Sequence, residues 1–70
     1  MFRYTKHALE KMDALGIERS EVERTIKTGM KWKEEQIEKW HARSAGIEAV
    51  FIPQENDVMI ITVYLAGGKQ

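Results

Sequence analysis

The sequence predicts an α+β domain in which an N-terminal helical hairpin packs on a four-stranded antiparallel sheet, in the order ααββββ. Before Gly29, apolar residues recur at the three- and four-residue spacing of amphipathic helices. From Met30 onward, apolar and polar residues alternate with the period of two that strands show. The run Val58–Tyr64 contains no charged residue, Gly or Pro, which is typical of a strand covered on both faces. Helices followed by consecutive strands indicate the α+β class.

The first helix is predicted over Lys6–Leu15. Thr5 is a suitable N-cap, because its hydroxyl can accept a hydrogen bond from a backbone N–H of the first turn. Ala8 and Met12 follow at i, i+4 spacing and begin one apolar stripe. Gly16 then supplies the left-handed residue at which many helices end.

The second helix is predicted to begin at Ser20, which can form a capping box with Glu23 three residues later. Val22 and Ile26 share one face of this helix, and Gly29 ends it. Because the link between the two helices is short, we expect them to pack as a hairpin on one side of the sheet.

Four strands are predicted after the helices, separated by turns of polar residues and glycine. They cover Met30–Lys33, a segment through Trp40 and Ala42, Ile47–Ile52 and Val58–Tyr64. Pro53 cannot donate a hydrogen bond to a neighbouring strand, so it is predicted to end the third strand. Met1–Tyr4 also alternates and is a candidate for a short N-terminal edge strand.

Strict alternation along the last strand predicts which residues share a face. Ile60, Thr62 and Tyr64 would lie on one face, and Ile61 and Val63 on the other. The hydroxyl groups of Thr62 and Tyr64 would then be neighbours near the end of the strand.

Length and composition limit the class of protein. A chain of 70 residues forms one domain, with residues 67–70 expected to be a disordered tail. It contains no cysteine, which excludes disulfides and favours a reducing, intracellular setting. No apolar run approaches the roughly 18 residues of a membrane span and no secretion signal opens the chain, so we expect a cytoplasmic protein without membrane contact. Because so small a core gives little stability, a homodimer or a partner protein is expected.

The charge balance argues against one class of partner. Eleven basic and eleven acidic residues give a formal net charge of zero, whereas proteins that bind nucleic acid strongly and without sequence preference usually have a basic excess. The balance leaves room for a local basic patch.

The candidate chemical residues are two histidines and their basic neighbours. His7 and Lys11 lie at i, i+4 on the first helix. His41 alternates with Lys39 and Arg43, so these three would share one face of a strand. If the first helix crosses the end of the last strand, His7 would approach Tyr64, although the sequence does not show that it does.

Each of these features has a structural alternative. A histidine near a helix N-terminus is commonly a partly buried residue with one hydrogen bond. A row of basic residues is commonly the solvated side of a half-covered sheet. Trp32 and Trp40 could stack on nucleic-acid bases or cover the sheet, and coverage is favoured in a domain with so small a core.

Common catalytic and cofactor motifs are absent from the sequence. The two histidines are far apart and there is no cysteine, so no common spacing of metal ligands is present and neither a metal nor a cofactor is predicted. The sequence also lacks a glycine-rich phosphate loop and a Gly-x-Ser-x-Gly turn. The remaining acid–base groups are His, Lys, Arg and Tyr, a set suited to RNA cleavage without a metal ion.

Several short motifs resemble a family of small bacterial and archaeal domains of unknown function. Members begin with Thr-x-His-Ala-x-x-Arg-Met and close with a strand similar to Thr-Val-Tyr. The matching positions here are Thr5-Lys6-His7-Ala8, Met12, Gly16-Ile17, Ser20 with Glu23, and Thr62-Val63-Tyr64. Lys11 stands where the family usually has Arg, and Leu15 where a second Arg is common. Lysine keeps the charge but lacks the fork with which arginine grips a phosphate.

That family is distantly similar to the RelE, ParE and BrnT toxins of toxin–antitoxin pairs, which have a comparable helical hairpin and antiparallel sheet. The resemblance implies metal-independent cleavage of RNA, at the ribosome, with an antitoxin protein as partner. His7 or His41 would act as general base or acid, and Tyr64 would orient a group or donate a proton. Lys11, Lys39 and Arg43 would bind phosphate.

Two other functions are open at this point. The same fold can serve as a non-catalytic interaction module that forms a homodimer or a partner complex through Trp32 or Trp40. It can also inhibit gyrase without cleaving anything, as ParE-like proteins do.

Overall fold

The structure, a computed structural model, describes residues 1–66 of the chain. It confirms the α+β class and two helices followed by hairpins of strands. The elements in chain order are β1 Phe2–Tyr4, α1 Lys6–Leu15, α2 Arg19–Thr28, β2 Met30–Lys33, β3 Trp40–Ser44, β4 Ile47–Pro53 and β5 Val58–Leu65. The predicted tail at residues 67–70 lies outside the described residues.

The sheet has five strands in the order β1-β5-β4-β3-β2. Strands β2 to β5 are antiparallel neighbours, as predicted. The prediction of a purely antiparallel, four-stranded sheet is nevertheless wrong, because the candidate N-terminal strand is a fifth member and runs parallel to β5. Backbone bonds at both ends hold it there: Val58 N–H donates to the Met1 carbonyl, and Thr5 N–H donates to the Ile60 carbonyl.

Helix α1 begins and ends as predicted. The Thr5 hydroxyl accepts a hydrogen bond from the Ala8 backbone N–H at 3.0 Å and donates one to the Ile61 carbonyl at 2.8 Å. Gly16 ends the helix with φ of 71°, a left-handed value that favours glycine. Thr5 therefore fixes the start of α1 directly onto β5.

Helix α2 begins earlier than predicted, because Glu18 and not Ser20 is its N-cap. Glu18 and Glu21 form the capping box, with the Glu18 N–H donating to the Glu21 carboxylate at 2.8 Å. Buried Ile17 anchors the link between the helices, so the residue after it already takes the extended cap conformation. Glu23 is consequently free to accept a hydrogen bond from the Tyr4 hydroxyl at 2.7 Å.

A β-bulge interrupts the predicted alternation of β5. Val50 pairs with Thr62 while Phe51 pairs with Ile60, so Ile61 is an extra residue on β5. As a result Ile60 and Val63 are both fully buried in the helix-covered core, although strict alternation placed them on opposite faces. The prediction that β5 is covered on both faces is also wrong; that description fits the central strand β4, in which Ile47–Phe51 are all buried.

The two faces of the sheet differ in what covers them. Both helices pack on one face, where the core consists of Ala8, Met12, Val22, Ile26, Ala42, Ala49, Phe51, Ile60 and Val63 with their neighbours. On β2, β3, β4 and β5, the residues that alternate with these core residues point to the other face, which we call the open face. The side chains with polar groups on this face are Trp32, His41, Arg43, Glu48, Thr62 and Tyr64. Neither described helix is long and apolar enough to cross a membrane.

Candidate active site

Glu48 lies at the centre of a polar cluster on the open face. It is only 5% exposed, yet its carboxylate accepts hydrogen bonds from three side chains. One oxygen accepts from His41 Nδ1 at 2.8 Å and from the Tyr64 hydroxyl at 2.7 Å. The other accepts from Arg43 Nη2 at 2.9 Å and Nε at 3.3 Å. A charge buried to this degree is costly unless it is paired, and this one is paired on both oxygens.

Strand register brings these side chains together. Arg43 and Glu48 are directly opposite each other on β3 and β4, and Glu48 and Tyr64 are opposite on β4 and β5. His41 lies two residues from Arg43 on β3, so it reaches Glu48 diagonally. The cluster is thus a row across three neighbouring strands.

The pKa of Glu48 shows how the pairing balances burial. Burial raises its pKa, but the hydrogen bonds from Tyr64, Arg43 and His41 outweigh burial and hold it below the usual range. Glu48 is therefore a carboxylate at neutral pH.

His41 is held on both nitrogens and on one ring face. Its Nδ1 meets Glu48, and its Nε2 lies 2.6 Å from a carboxylate oxygen of Glu34, the residue after β2. The ring stacks on Trp32, its cross-strand neighbour, with ring centroids 5.1 Å apart and planes 7° from parallel. Burial lowers the pKa of His41, but the hydrogen bonds to Glu34 and Glu48 outweigh it and raise the pKa above its ordinary value. The arrangement fits an imidazolium that donates from both nitrogens.

Tyr64 serves this cluster as a donor. Burial first, and then the hydrogen bond to Glu48, raise its pKa to about 12. Its proton therefore stays on the phenol at neutral pH, where it helps to fix the orientation of Glu48.

The structure brings together three of the six residues singled out from the sequence: His41, Arg43 and Tyr64. Lys39 lies outside β3, which begins at Trp40, so the predicted row of three basic residues on one strand face contains two. The Lys39 carbonyl instead accepts from the Glu34 N–H and closes the β2–β3 loop.

His7 and Lys11 belong to a different part of the molecule. His7 is exposed and Lys11 partly exposed on α1, which packs on the helix-covered face. Tyr64 points to the open face, where its hydroxyl is bonded to Glu48. The structure does not bring His7 to Tyr64, because the sheet lies between them.

Sequence reasoning missed Glu48, Glu34 and the position of Trp32 beside His41. One signal was available: Glu48 is the single charged residue in the otherwise apolar run Ile47–Ile52. A charge surrounded by buried neighbours needs partners. Which partners it has depends on strand register, which the sequence does not give.

One concavity lies away from this cluster. A groove of about 560 Å³ lies between the link of the two helices and the β3–β4 turn, lined in part by Glu18, Arg24 and Ser44. It contains no member of the open-face cluster, and its acidic residues Glu18 and Glu21 already cap α2. We therefore place the candidate site on the open face, where the acid–base groups meet.

A metal site is not formed by the described acidic groups and histidines. Within residues 1–66, no three or more of these side chains are grouped so that they could hold a metal ion. Glu34 and Glu48 are bonded to opposite nitrogens of the same His41 ring and do not converge on a common point.

Comparisons with known proteins identify a family but no characterised relative. No curated protein and no solved structure gives a significant match. One family model, a domain of unknown function, matches residues 4–65, which include the whole open-face cluster. The resemblance to a family of unknown function is thereby confirmed. The chain belongs to the DUF4258 family.

Proposed function

We propose that this protein cleaves RNA without a metal ion and that His41 is its proton donor. The observation that carries the proposal is the pair of His41 and Glu48: a buried carboxylate holds Nδ1 at 2.8 Å, and Nε2 points to the half-exposed side chain of Glu34. An imidazole oriented by a carboxylate on one nitrogen is a recurrent acid–base arrangement, and the other nitrogen of His41 is covered by the partly exposed Glu34 side chain.

The reaction assigned to this site is transfer of the phosphodiester to the neighbouring 2′-oxygen. The 2′-oxygen attacks phosphorus and the bond to the 5′-oxygen breaks, while the 2′-hydroxyl proton passes to solvent. His41 gives its Nε2 proton to the departing 5′-oxygen. The products are a 2′,3′-cyclic phosphate and a 5′-hydroxyl.

Arg43 supplies the positive charge for the phosphate. Its side chain is 51% exposed although two of its nitrogens bind Glu48. A guanidinium has five N–H donors, so donors remain for a phosphate oxygen. Charge that develops on phosphorus in the transition state is stabilised by such a fixed cation.

RNA is the favoured substrate because an aromatic ring lies beside the acid and the cation. Trp32 is 36% exposed, stacks on His41 and lies 5.7 Å from the Arg43 guanidinium carbon. Aromatic side chains at such positions stack on bases of single strands. The expected distant similarity of its family to RelE-type toxins is what supports a toxin–antitoxin context, with an antitoxin partner and the ribosome as the place of action.

Cleavage of RNA oligonucleotides by the purified protein in EDTA tests the proposal. We expect 2′,3′-cyclic phosphate ends, and a rate about 100-fold lower for His41→Gln, in line with the usual effect of losing a general acid. The matched control is His7→Gln, which changes the other histidine, on the exposed surface of α1, and should retain activity. Loss of activity in His7→Gln with full activity in His41→Gln would move the site to α1.

Induction in a bacterial host, with growth and RNA 5′ ends followed together, tests the cellular role. Growth arrest with new cleavage sites supports a toxin. Arrest without cleavage favours the gyrase-directed alternative. Absence of both favours the interaction module.

The exposed edge of the sheet favours a second candidate, a module that binds a partner protein. Met30, Trp32 and Ile37 are 74%, 36% and 44% exposed, and they lie on edge strand β2 or in the loop after it. Unpaired backbone groups of an edge strand can accept an extended segment of another chain. Trp40 packs partly buried against the core, so Trp32 is the tryptophan that remains for this role.

The lysines of β2 favour an acidic partner over a second copy. In the two antiparallel registers of paired β2 strands that put Lys31 opposite Lys31 or Lys33 of the other copy, with the helices on the same side, like charges would be directly opposite and destabilising. Light scattering tests this candidate. A homodimer lost in Trp32→Ala would contradict the preference for an acidic partner while supporting an interaction through Trp32.

A further inference from the structure

We propose that the Glu34 carboxylate occupies a phosphate-binding position next to His41, and that a nucleotide phosphate displaces it. The choice of a nucleotide as ligand rests on the proposed function, whereas the presence of an anion site does not.

The two carboxylates bonded to His41 differ in how firmly they are held. Glu48 has its side chain 6% exposed and accepts from three residues. Glu34 has its side chain 38% exposed, and within residues 1–66 its carboxylate contacts a single hydrogen-bonding partner, His41 Nε2. An anion bonded to His41 Nε2 would restore the one hydrogen bond that Glu34 gives up, whereas displacing Glu48 would break bonds to three residues. Glu34 is therefore the carboxylate that a competing anion can replace.

The group that binds the Glu34 carboxylate is one that also recognises a phosphate. His41 donates from Nε2, while Arg43, two residues along the same strand face, lies on the Glu48 side of His41 and retains donors beyond those that bind Glu48. Carboxylate and phosphate oxygens accept hydrogen bonds from the same cationic donors. A phosphate oxygen at the position of the Glu34 oxygen would accept from the same nitrogen.

Trp32 narrows the ligand class from simple anions to nucleotides. Its ring stacks against His41 and lies near the Arg43 guanidinium. An aromatic surface is therefore in contact with the histidine that would bind the phosphate. A nucleoside monophosphate or an RNA phosphodiester presents both a phosphate and a base. We expect the base to stack at Trp32 while the phosphate replaces Glu34.

The fold does not need the Glu34 carboxylate. Its backbone N–H donates to the Lys39 carbonyl at 2.9 Å and closes the β2–β3 loop whatever the side chain is. Glu34→Gln should therefore fold normally. Glu35 is adjacent and exposed, so Glu35→Gln removes the same charge without touching His41 and is a charge-matched control.

Calorimetric titration with cytidine 3′-monophosphate, compared with cytidine, tests the inference. Only molecules in which Glu34 has left the site can bind the nucleotide. If these are a small fraction of the protein, removing the Glu34 carboxylate makes all molecules competent and raises the apparent affinity by about fivefold or more. We expect this gain for Glu34→Gln with the nucleotide, less than twofold for Glu35→Gln, and no gain with cytidine. His41→Gln added to Glu34→Gln should remove the gain. Inorganic phosphate is the third probe, and a gain as large as that of the nucleotide would overturn the role of Trp32 and leave a simple anion site.

The outcomes separate this inference from RNA cleavage. Equal affinities in Glu34→Gln and Glu35→Gln, or weaker binding in Glu34→Gln, would overturn the inference even if the wild-type protein cleaves RNA. Tighter nucleotide binding by Glu34→Gln alone would support it even if no cleavage is found, and would then leave a nucleotide-binding protein without that activity.

Discussion

His41 Nδ1 lies 2.8 Å from an oxygen of Glu48, a residue that is 5% exposed and the second residue of the central strand β4. This contact joins β3 to β4 on the open face, opposite the face on which α1 and α2 pack. It also fixes which way the second nitrogen of His41 points. One interaction thus contributes both to sheet stability and to the geometry of the candidate site, and the two contributions can be measured separately.

Glu48→Gln should destabilise the fold. The substitution keeps the size of the side chain but removes the charge that Arg43 and His41 bind, and hydrogen bonds to charged groups contribute about 1.5–3 kcal/mol each. We expect the free energy of unfolding in urea to fall by roughly 2 kcal/mol. Glu35→Gln, on the exposed loop, should stay within about 0.5 kcal/mol of wild type. Equal stabilities of the two variants would mean that Glu48 is not paired as described.

The protonation of His41 should depend on Glu48. Its pKa lies above the ordinary value of 6.5, since the hydrogen bonds to Glu34 and Glu48 overcome burial. Without the Glu48 charge, less opposes the effect of burial, so the pKa of His41 should fall. Titration of the His41 ring by NMR, in wild type and Glu48→Gln, checks this. An unchanged midpoint would show that Glu48 does not set the protonation of His41.

The same shift makes stability depend on pH. Because the folded pKa of His41 is raised, its contribution is fully present below 6.5 and is lost as pH rises through the folded pKa. Because the folded pKa of Glu48 is lowered, its contribution is present above the ordinary value of 4.5 and is lost as pH falls through the folded pKa. The two contributions together should be greatest between about pH 4.5 and 6.5.

Urea unfolding across pH measures this dependence. The stability difference between wild type and His41→Gln should shrink as pH rises above 6.5. A difference that grows in the alkaline direction would contradict the sign of the His41 shift.

The fold class and both helices could be predicted because their signals are local. Thr5 and Gly16 mark the ends of α1 through residues one turn away or less. Strand β1 has only three residues, too few to show a period, and its parallel pairing depends on β5 at the other end of the chain. The bulge lies at Ile61, whose carbonyl accepts a hydrogen bond from the Thr5 hydroxyl at the other end of the chain, so no local pattern indicates it.

The candidate site could be predicted only in part, for the same reason. The sequence predicts that His41 and Arg43 lie together, because residues two apart on one strand point to the same face of the sheet. Glu48 and Tyr64 joined them through pairing registers that no short motif encodes. His7 was singled out by a motif, and the structure separates it from the cluster by the thickness of the sheet.

Tyr64→Phe distinguishes a positioning residue from a proton donor in the reaction. The hydroxyl donates to Glu48 at 2.7 Å and its pKa is raised to about 12, so it is a poor acid at neutral pH. We expect a loss of about 1.5–3 kcal/mol in stability, since one hydrogen bond to a charged group disappears. RNA cleavage, where present, should fall less than in His41→Gln. A rate as low as that of His41→Gln at unchanged substrate affinity would make Tyr64 the proton donor instead.

Gly29→Ala should disturb both the fold and the candidate site, because Gly29 lies where α2 meets β3. A Cβ atom there would lie 2.5 Å from the Thr25 carbonyl oxygen and 2.6 Å from that of Arg43, and both are backbone atoms that cannot rotate away. Relief requires β3 to shift at Arg43, the residue that holds Glu48. We expect a loss of at least about 2 kcal/mol in unfolding free energy, as for other overpacked sites.

Gly16→Ala is the control that separates crowding from backbone strain. Gly16 has a left-handed φ of 71° but no neighbour within 4 Å of an added Cβ, so only the conformational penalty applies, about 1 kcal/mol. Gly29 has an ordinary negative φ of −79°, so crowding alone acts there. The NMR chemical shifts of His41 and Arg43 should differ from those of wild type in Gly29→Ala and match them in Gly16→Ala. Equal costs at the two positions, with no change at Arg43, would show that α2 does not approach β3 as closely as described.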